Sequence, residues 1–175
     1  MTEISLRENL YDWIQGVLNS FLPANAATFI WHMQDISRPS TPILEGRLSN
    51  DIRIGRDTVN APDNDGVQIV DGDREFVLYL TYFGTGAWNA LQVIRNATHD
   101  PYQVGLLQSN GIAIIECHPI LDAHVYLDTM PEDRATMDIR MRLVDSWTTQ
   151  SAGLIEHANA SGKINGVAAL PNIAV

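Results

Sequence analysis

Basic charge is what this sequence has least of. Eleven arginines and lysines stand against 21 acidic residues, only Lys163 among them is a lysine, and the formal net charge is −10. Tight nucleic-acid binders concentrate Lys and Arg, because each neutralised phosphate releases counterions and drives affinity. This balance argues against such binding. It is compatible with DNA passing nearby without adhering, and equally with simple solubility. Cysteine is nearly absent too: Cys117 stands alone, which excludes an internal disulfide framework and fits a reducing compartment. No apolar run approaches the roughly 20 residues of a membrane helix. The opening MTEISLRENL has an early acid and no apolar core, so no secretory signal is expected there.

What is present is 175 residues, 45% apolar and 18% charged. That is the size and composition of one soluble domain, able to bury roughly 70% of its unfolded surface without metals or disulfides. Leu6, Leu10, Trp13, Ile14, Val17, Leu18 and Phe21 recur at helical spacing and predict an amphipathic first helix, closed by Pro23. Thr28 to Met33 predicts a strand, followed by a polar loop carrying Pro39 and Pro42. Ile43 to Ile54 predicts a long, imperfect strand or a pair of strands. From Arg56 to Arg74 the chain is rich in Asp, Asn, Gly and Pro, as in an exposed loop or hairpin with a short strand at Val67 to Val70.

Glu75 to Phe83 (EFVLYLTYF) is apolar on both alternating faces. It predicts a central strand covered on both sides, or on one side by a neighbouring subunit. Ala87, Ala90, Leu91, Ile94 and Ala97 line one face of a second helix, and Asp100-Pro101 opens a third that ends at Asn110-Gly111. Ile112 to Cys117 predicts a buried strand, Ala123 to Asp128 another, and Thr129 to Asp133 a turn. Arg134 to Trp147 alternates, with Met137, Ile139, Met141 and Leu143 on one face and Asp138, Arg140 and Arg142 on the other. Gly153 to His157 could add one more strand. The expected fold is α+β, a mostly antiparallel sheet with helices packed on one face. The expected division is a domain over residues 1–158 and an extended C-terminal arm over 159–175 that is apolar enough to want a partner surface.

The search for chemistry finds no catalytic, cofactor-binding or metal site. Cys117 and His118 are neighbours in sequence, but consecutive strand side chains diverge, so no nucleophilic dyad is expected. His118, Asp122 and His124 would be the ligands of a small metal-dependent hydrolase, the alternative from a different functional class. They lack the tight grouping of zinc ligands. Asp63-Asn64-Asp65-Gly66 and Asp71-Gly72-Asp73 resemble the start of a calcium loop, but Arg74 stands where a Glu ligand belongs, and hairpin turns are the better reading. Trp13, Trp88, Trp31 and Trp147 are expected in the core by residue type. There is no phosphate loop, nucleophile elbow or dinucleotide fingerprint.

Several short motifs occur together, in order. Leu10-Tyr11-Asp12-Trp13 lies on the first helix. Ile30-Trp31-His32-Met33-Gln34 precedes Arg38-Pro39 and Pro42. Gly72-Asp73-Arg74-Glu75-Phe76 leads into the central strand and Tyr82-Phe83-Gly84. Leu127-Asp128-Thr129 and Glu132-Asp133-Arg134-Ala135 lead into the last long strand, and Gly153-Leu154-Ile155 and Gly162 follow. Over residues 1 to about 165 this series resembles the phage neck terminator family, also called tail terminators, of long-tailed phages. His32-Met33, Ile43-Leu44 and the tail beyond Gly162 depart from the family's pattern.

The resemblance implies a non-enzymatic virion protein, assembled in the host cytoplasm and needing no cofactor and no membrane. It implies a hexameric ring that ends the tail tube, meets the tube and sheath proteins on one side and the neck connector on the other, and leaves a channel for DNA. The sequence adds its own expectation that part of the acidic excess, with the Asp57 to Asp73 segment as a candidate, lines that channel or contacts a neighbour. Another neck adaptor or a baseplate component is the nearest alternative.

Overall fold

The structure is a computed structural model that describes residues 3–22, 27–32, 42–63, 66–123, 125–127 and 130–150. In chain order it contains helix α1 (Glu3–Phe21), strands β1 (Thr28–Trp31), β2 (Ile43–Val59) and β3 (Val67–Phe83), helices α2 (Ala87–Ala97) and α3 (Pro101–Ser109), and strands β4 (Ile112–Cys117), β5 (Leu121–Asp122), β6 (Val125–Leu127), β7 (Met130–Glu132) and β8 (Arg134–Gln150). The main sheet runs β1-β2-β3-β8-β4, with β5 also paired to β8, while β6 and β7 form a separate antiparallel pair. β1 joins β2 in parallel, and β4 and β5 meet β8 antiparallel. β2 and β3 are consecutive neighbours joined by a short loop, which only an antiparallel hairpin allows. The fold is therefore α+β with a mixed, mostly antiparallel sheet, as expected.

The chain divides into two compact units, residues 1–57 with 71–146, and residues 58–70 with 147–175. The first holds the core. Leu10, Ile14 and Val17 of α1, Leu91 and Ile94 of α2, Leu107 of α3, Leu44, Leu78, Leu80, Ile139 and Met141 all belong to one buried cluster. Since β3 contributes Phe76, Leu78, Leu80 and Tyr82, and β8 contributes Ala135, Met137, Ile139, Met141 and Leu143, each strand gives one alternate face to that cluster. All three helices join the cluster, so they cover the same face of the sheet. In the second unit, Asn60 N–H donates to the Ile69 carbonyl at 2.9 Å. Asp63 closes the turn, its Oδ1 accepting from Val67 N–H at 2.8 Å and its carbonyl from Gly66 N–H at 3.0 Å.

Several expectations are corrected. β2 is one strand extending to Val59, and of the two alternatives for Arg56–Arg74 the hairpin is the one found, with the expected short strand at Val67 to Val70 continuous with the central strand as β3. On β2 the segment's residues are mostly exposed, Asp57 excepted, so no apolar alternation announces the far end of that strand. β4 is an edge strand in which only Ile112 is buried. Of the expected Ala123–Asp128 strand only Val125–Leu127 is strand, β5 having ended at Asp122, and Met130–Glu132 is strand where a turn was expected, paired back on β6. Phe21, Trp88 and Trp147 are exposed, whereas Trp13 is buried with its Nε1 donating to the Gln103 carbonyl at 3.1 Å. Trp88 belongs to the opposite side of α2 from Ala87, Ala90, Leu91, Ile94 and Ala97, which fill the core as predicted. The loop with Arg38-Pro39, the strand at Gly153 to His157, His124 and the arm at 159–175 lie outside the described residues.

Candidate interaction surfaces

The face of the sheet opposite the helices is built from the alternate residues of β3 and β8. β3 offers Glu75, Val77, Tyr79, Thr81 and Phe83, and β8 offers Arg134, Thr136, Asp138, Arg140 and Arg142, all of intermediate exposure. Guanidinium groups lie over aromatic rings: Arg47 over Tyr79 at 5.3 Å and Arg134 over Phe83 at 4.9 Å. Such stacks let a cation cover apolar surface while remaining wet at its rim. Glu75 ties two strands together through Arg140 at 2.9 Å and Arg142 at 3.5 Å, and Glu116 on β4 reaches Arg140 at 3.5 Å. His32 pairs with Glu45 on the same sheet. The result is an arginine–carboxylate–aromatic surface that no helix of the described residues covers. Sequence alone separated Arg140 and Arg142 from the core, but not their shared carboxylate.

Burial raises Asp138 above the ordinary aspartate range, partly offset by the charge of His118. A raised folded-state value means the fold favours the protonated form, so this stabilisation is complete below the unfolded value and is lost as pH rises through the folded one. Asp138→Asn is therefore expected to raise Tm near pH 7 and to leave it unchanged in acid, where both forms are neutral. A thermal melt series against pH checks this.

Asp133 has a different task. Its Oδ2 accepts from Gly86 N–H at 2.7 Å and Ala87 N–H at 3.3 Å, and its carbonyl accepts from Gly84 N–H at 2.9 Å. Helix α2 has Gly86 at its N-cap, at φ +80°, with no side-chain cap of its own. A carboxylate from the start of β8 fills that role and meets the positive end of the helix. Asp133→Ala is expected to cost about 1–2 kcal/mol, the usual value of a lost cap, measured by urea unfolding. Gly84, at φ +124°, lies where a Cβ would press on Pro42, and burial, with the Asp133 charge adding to it, raises the Tyr82 phenol. The Tyr82-Phe83-Gly84 and Asp133-Arg134 motifs thus meet at one corner of the fold.

The hairpin carries a third cluster. Asp57 pairs with Arg74 at 3.1 Å and Arg53 at 2.9 Å, and both Asp57 and Arg74 are largely buried. A side chain at Gly72 would run into both partners of the Asp57–Arg74 pair, so the pair needs glycine between its strands. Asp71 accepts from the Ser146 hydroxyl at 2.5 Å. Of the acidic residues with a calcium-like spacing, Asp63 is engaged in the hairpin turn and Asp71 in a tie to Ser146, while Asp65 lies outside the described residues.

Of the metal candidates, His118 and Asp122 fall among the described residues and His124 does not. His118 is part-exposed, with Nε2 3.5 Å from Glu116, and Asp122 is exposed on β5. Among the described residues, no group of three His, Cys, Asp or Glu side chains could hold a metal ion. Cys117 is half-buried, its Sγ 3.5 Å from Met137 Sδ, and burial raises its thiol against the opposing influences of Thr98 and Arg95. A raised thiol is the opposite of an activated nucleophile.

The model of the phage neck terminator protein family matches residues 5–167. The chain belongs to that family. No curated protein matches it. As a neck terminator family member it has a structural role at the phage neck and is a virion component that interacts with other virion components. No helix among the described residues is long and apolar enough to cross a membrane. The family motifs now have physical content. Trp13 is locked onto α3, the stretch from Gly72 to Glu75 carries the hairpin ion pair and the sheet-face carboxylate, and Gly84 and Asp133 build the α2 corner.

Proposed function

We propose that this neck terminator forms a closed ring of six copies at the head-proximal end of the phage tail. In this reading the ring ends the tail tube, contacts the tube and sheath proteins below and the neck connector above, and leaves a central passage for DNA. It acts by fitting its neighbours and carries out no catalysis. The observation that carries the reading is the family match along nearly the whole chain. The sheet face that no described helix covers supports it, because half-buried aromatics and stacked arginines are the composition of a protein interface rather than of a solvated face. A ring of identical copies needs such a face to meet a different face of the next copy.

Residues 159–175 are proposed as an arm that reaches a neighbouring copy, beyond a domain at 1–158. The acidic excess is proposed to keep the passage non-adhesive to DNA. The test is the mass of the purified protein by light scattering, with electron microscopy of the assembled species and of the necks of virions. A closed ring with a hole of DNA width is the expected result. A chain that is monomeric in solution and does not encircle the neck in virions would overturn the reading.

A further inference from the structure

Between Gly84 and Ile115 the only formally charged side chains are Arg95 and Asp100, in a chain that carries −10 overall. That stretch is α2 and α3, the helices whose inner residues fill the core. Asp100 is occupied as the cap of α3, its Oδ1 accepting from Tyr102 N–H at 2.9 Å. Outward, the two helices show Trp88, 48% exposed, Tyr102, 70% exposed, and Leu106, 41% exposed. Tyr102 and Leu106 are one turn apart on the same side of α3. Charge depletion with exposed Trp and Tyr is the signature of an interface centre, where those residues supply most of the binding energy.

We infer that the outward surface of α2 and α3, anchored by Trp88 and Tyr102, is the contact through which one copy seats on the next. The inference deepens the ring reading and rests on it. The occupant follows from charge. Copies each carrying −10 repel wherever their acidic surfaces meet, so they can associate only through surfaces that are neutral or complementary. The helix surface is neutral by depletion. From Glu75 onward along β3, the sheet face that no described helix covers is balanced: Arg47, Arg134, Arg140 and Arg142 offset Glu45, Glu75, Glu116 and Asp138. The two surfaces lie on opposite sides of the sheet. Helices of one copy against the open sheet face of the next is a head-to-tail contact, the kind that closes a ring.

The test compares the full chain with Trp88→Glu/Tyr102→Glu. Both side chains are exposed, so the variant should keep the wild-type circular dichroism and Tm. Its association is expected to weaken on the order of a hundredfold or more, leaving monomer by light scattering where wild type is assembled. Wild-type mass should also not fall from low salt to about 1 M NaCl, since salt screens the repulsion between copies while the charge-depleted helix surface offers no ion pairs across the contact to lose. An assembled double variant, or a wild-type assembly that dissociates in salt, overturns the inference and leaves the ring reading standing. A wild-type chain that assembles neither in solution nor at virion necks removes the ring reading itself. Wild type that is monomeric in solution but ringed at virion necks still decides the inference: the variant must then be missing from those necks.

Discussion

Asp57→Ala is expected to lower stability by about 3 kcal/mol and Tm by roughly 6–12 °C. Its carboxylate is the shared partner of Arg53 and Arg74, and the Arg74 guanidinium is mostly buried between β2 and β3. Removing the acid leaves that guanidinium desolvated without its carboxylate, which costs far more than the pair contributes while intact. The same argument predicts a rescue. Asp57→Leu/Arg74→Leu, which removes both charges and keeps apolar volume, should recover most of the loss, and a double-mutant cycle in urea gives the coupling. Additive single effects would show that the pair is only a surface contact.

Phe29→Ala should cost about 3–5 kcal/mol, the range for truncating a fully buried aromatic. Phe29 sits on the short edge strand β1, where it meets Trp31 edge-on at 5.0 Å and Tyr11 of α1 at 5.6 Å. It also lies so close over Gly46 of β2 that a Cβ there would fall within 3 Å of its ring. The ring and the missing side chain are one packing decision. Gly46→Ala alone should therefore destabilise by overpacking, and Phe29→Leu should relieve part of that cost. Equal cost of Gly46→Ala in both backgrounds, by thermal or urea melts, would refute the coupling.

These residues show what the sequence could and could not announce. The α1 stripe, the five inward residues of α2, the Asp100 cap and the alternation of β8 were legible because each is a local period or a local hydrogen bond. The far half of the β2–β3 hairpin was legible only as one of two alternatives. Its Asp, Asn and Gly residues look like a loop, and only pairing with a distant strand makes them extended. Trp88 misled for a related reason: residue type favours burial, but its angular position on α2 opposes the apolar stripe. The interaction surfaces were half visible. Arg140 and Arg142 stood out on one strand face, while the Glu75 that joins them and the Asp133 that caps a helix 46 residues away needed the fold. The family motifs marked these positions without saying what they do.

The hold of Asp133 on α2 has a mechanical meaning. One residue grips the helix start with its side chain and Gly84 with its carbonyl, at the point where β8 begins. Strand and helix therefore meet through two short, nearly inextensible links rather than through a pliant loop. A push on the outward side of α2 would be carried into β8, the strand shared by β3, β4 and β5, instead of being absorbed at the surface. In a neck component that bears on other virion components, that corner behaves as a strut.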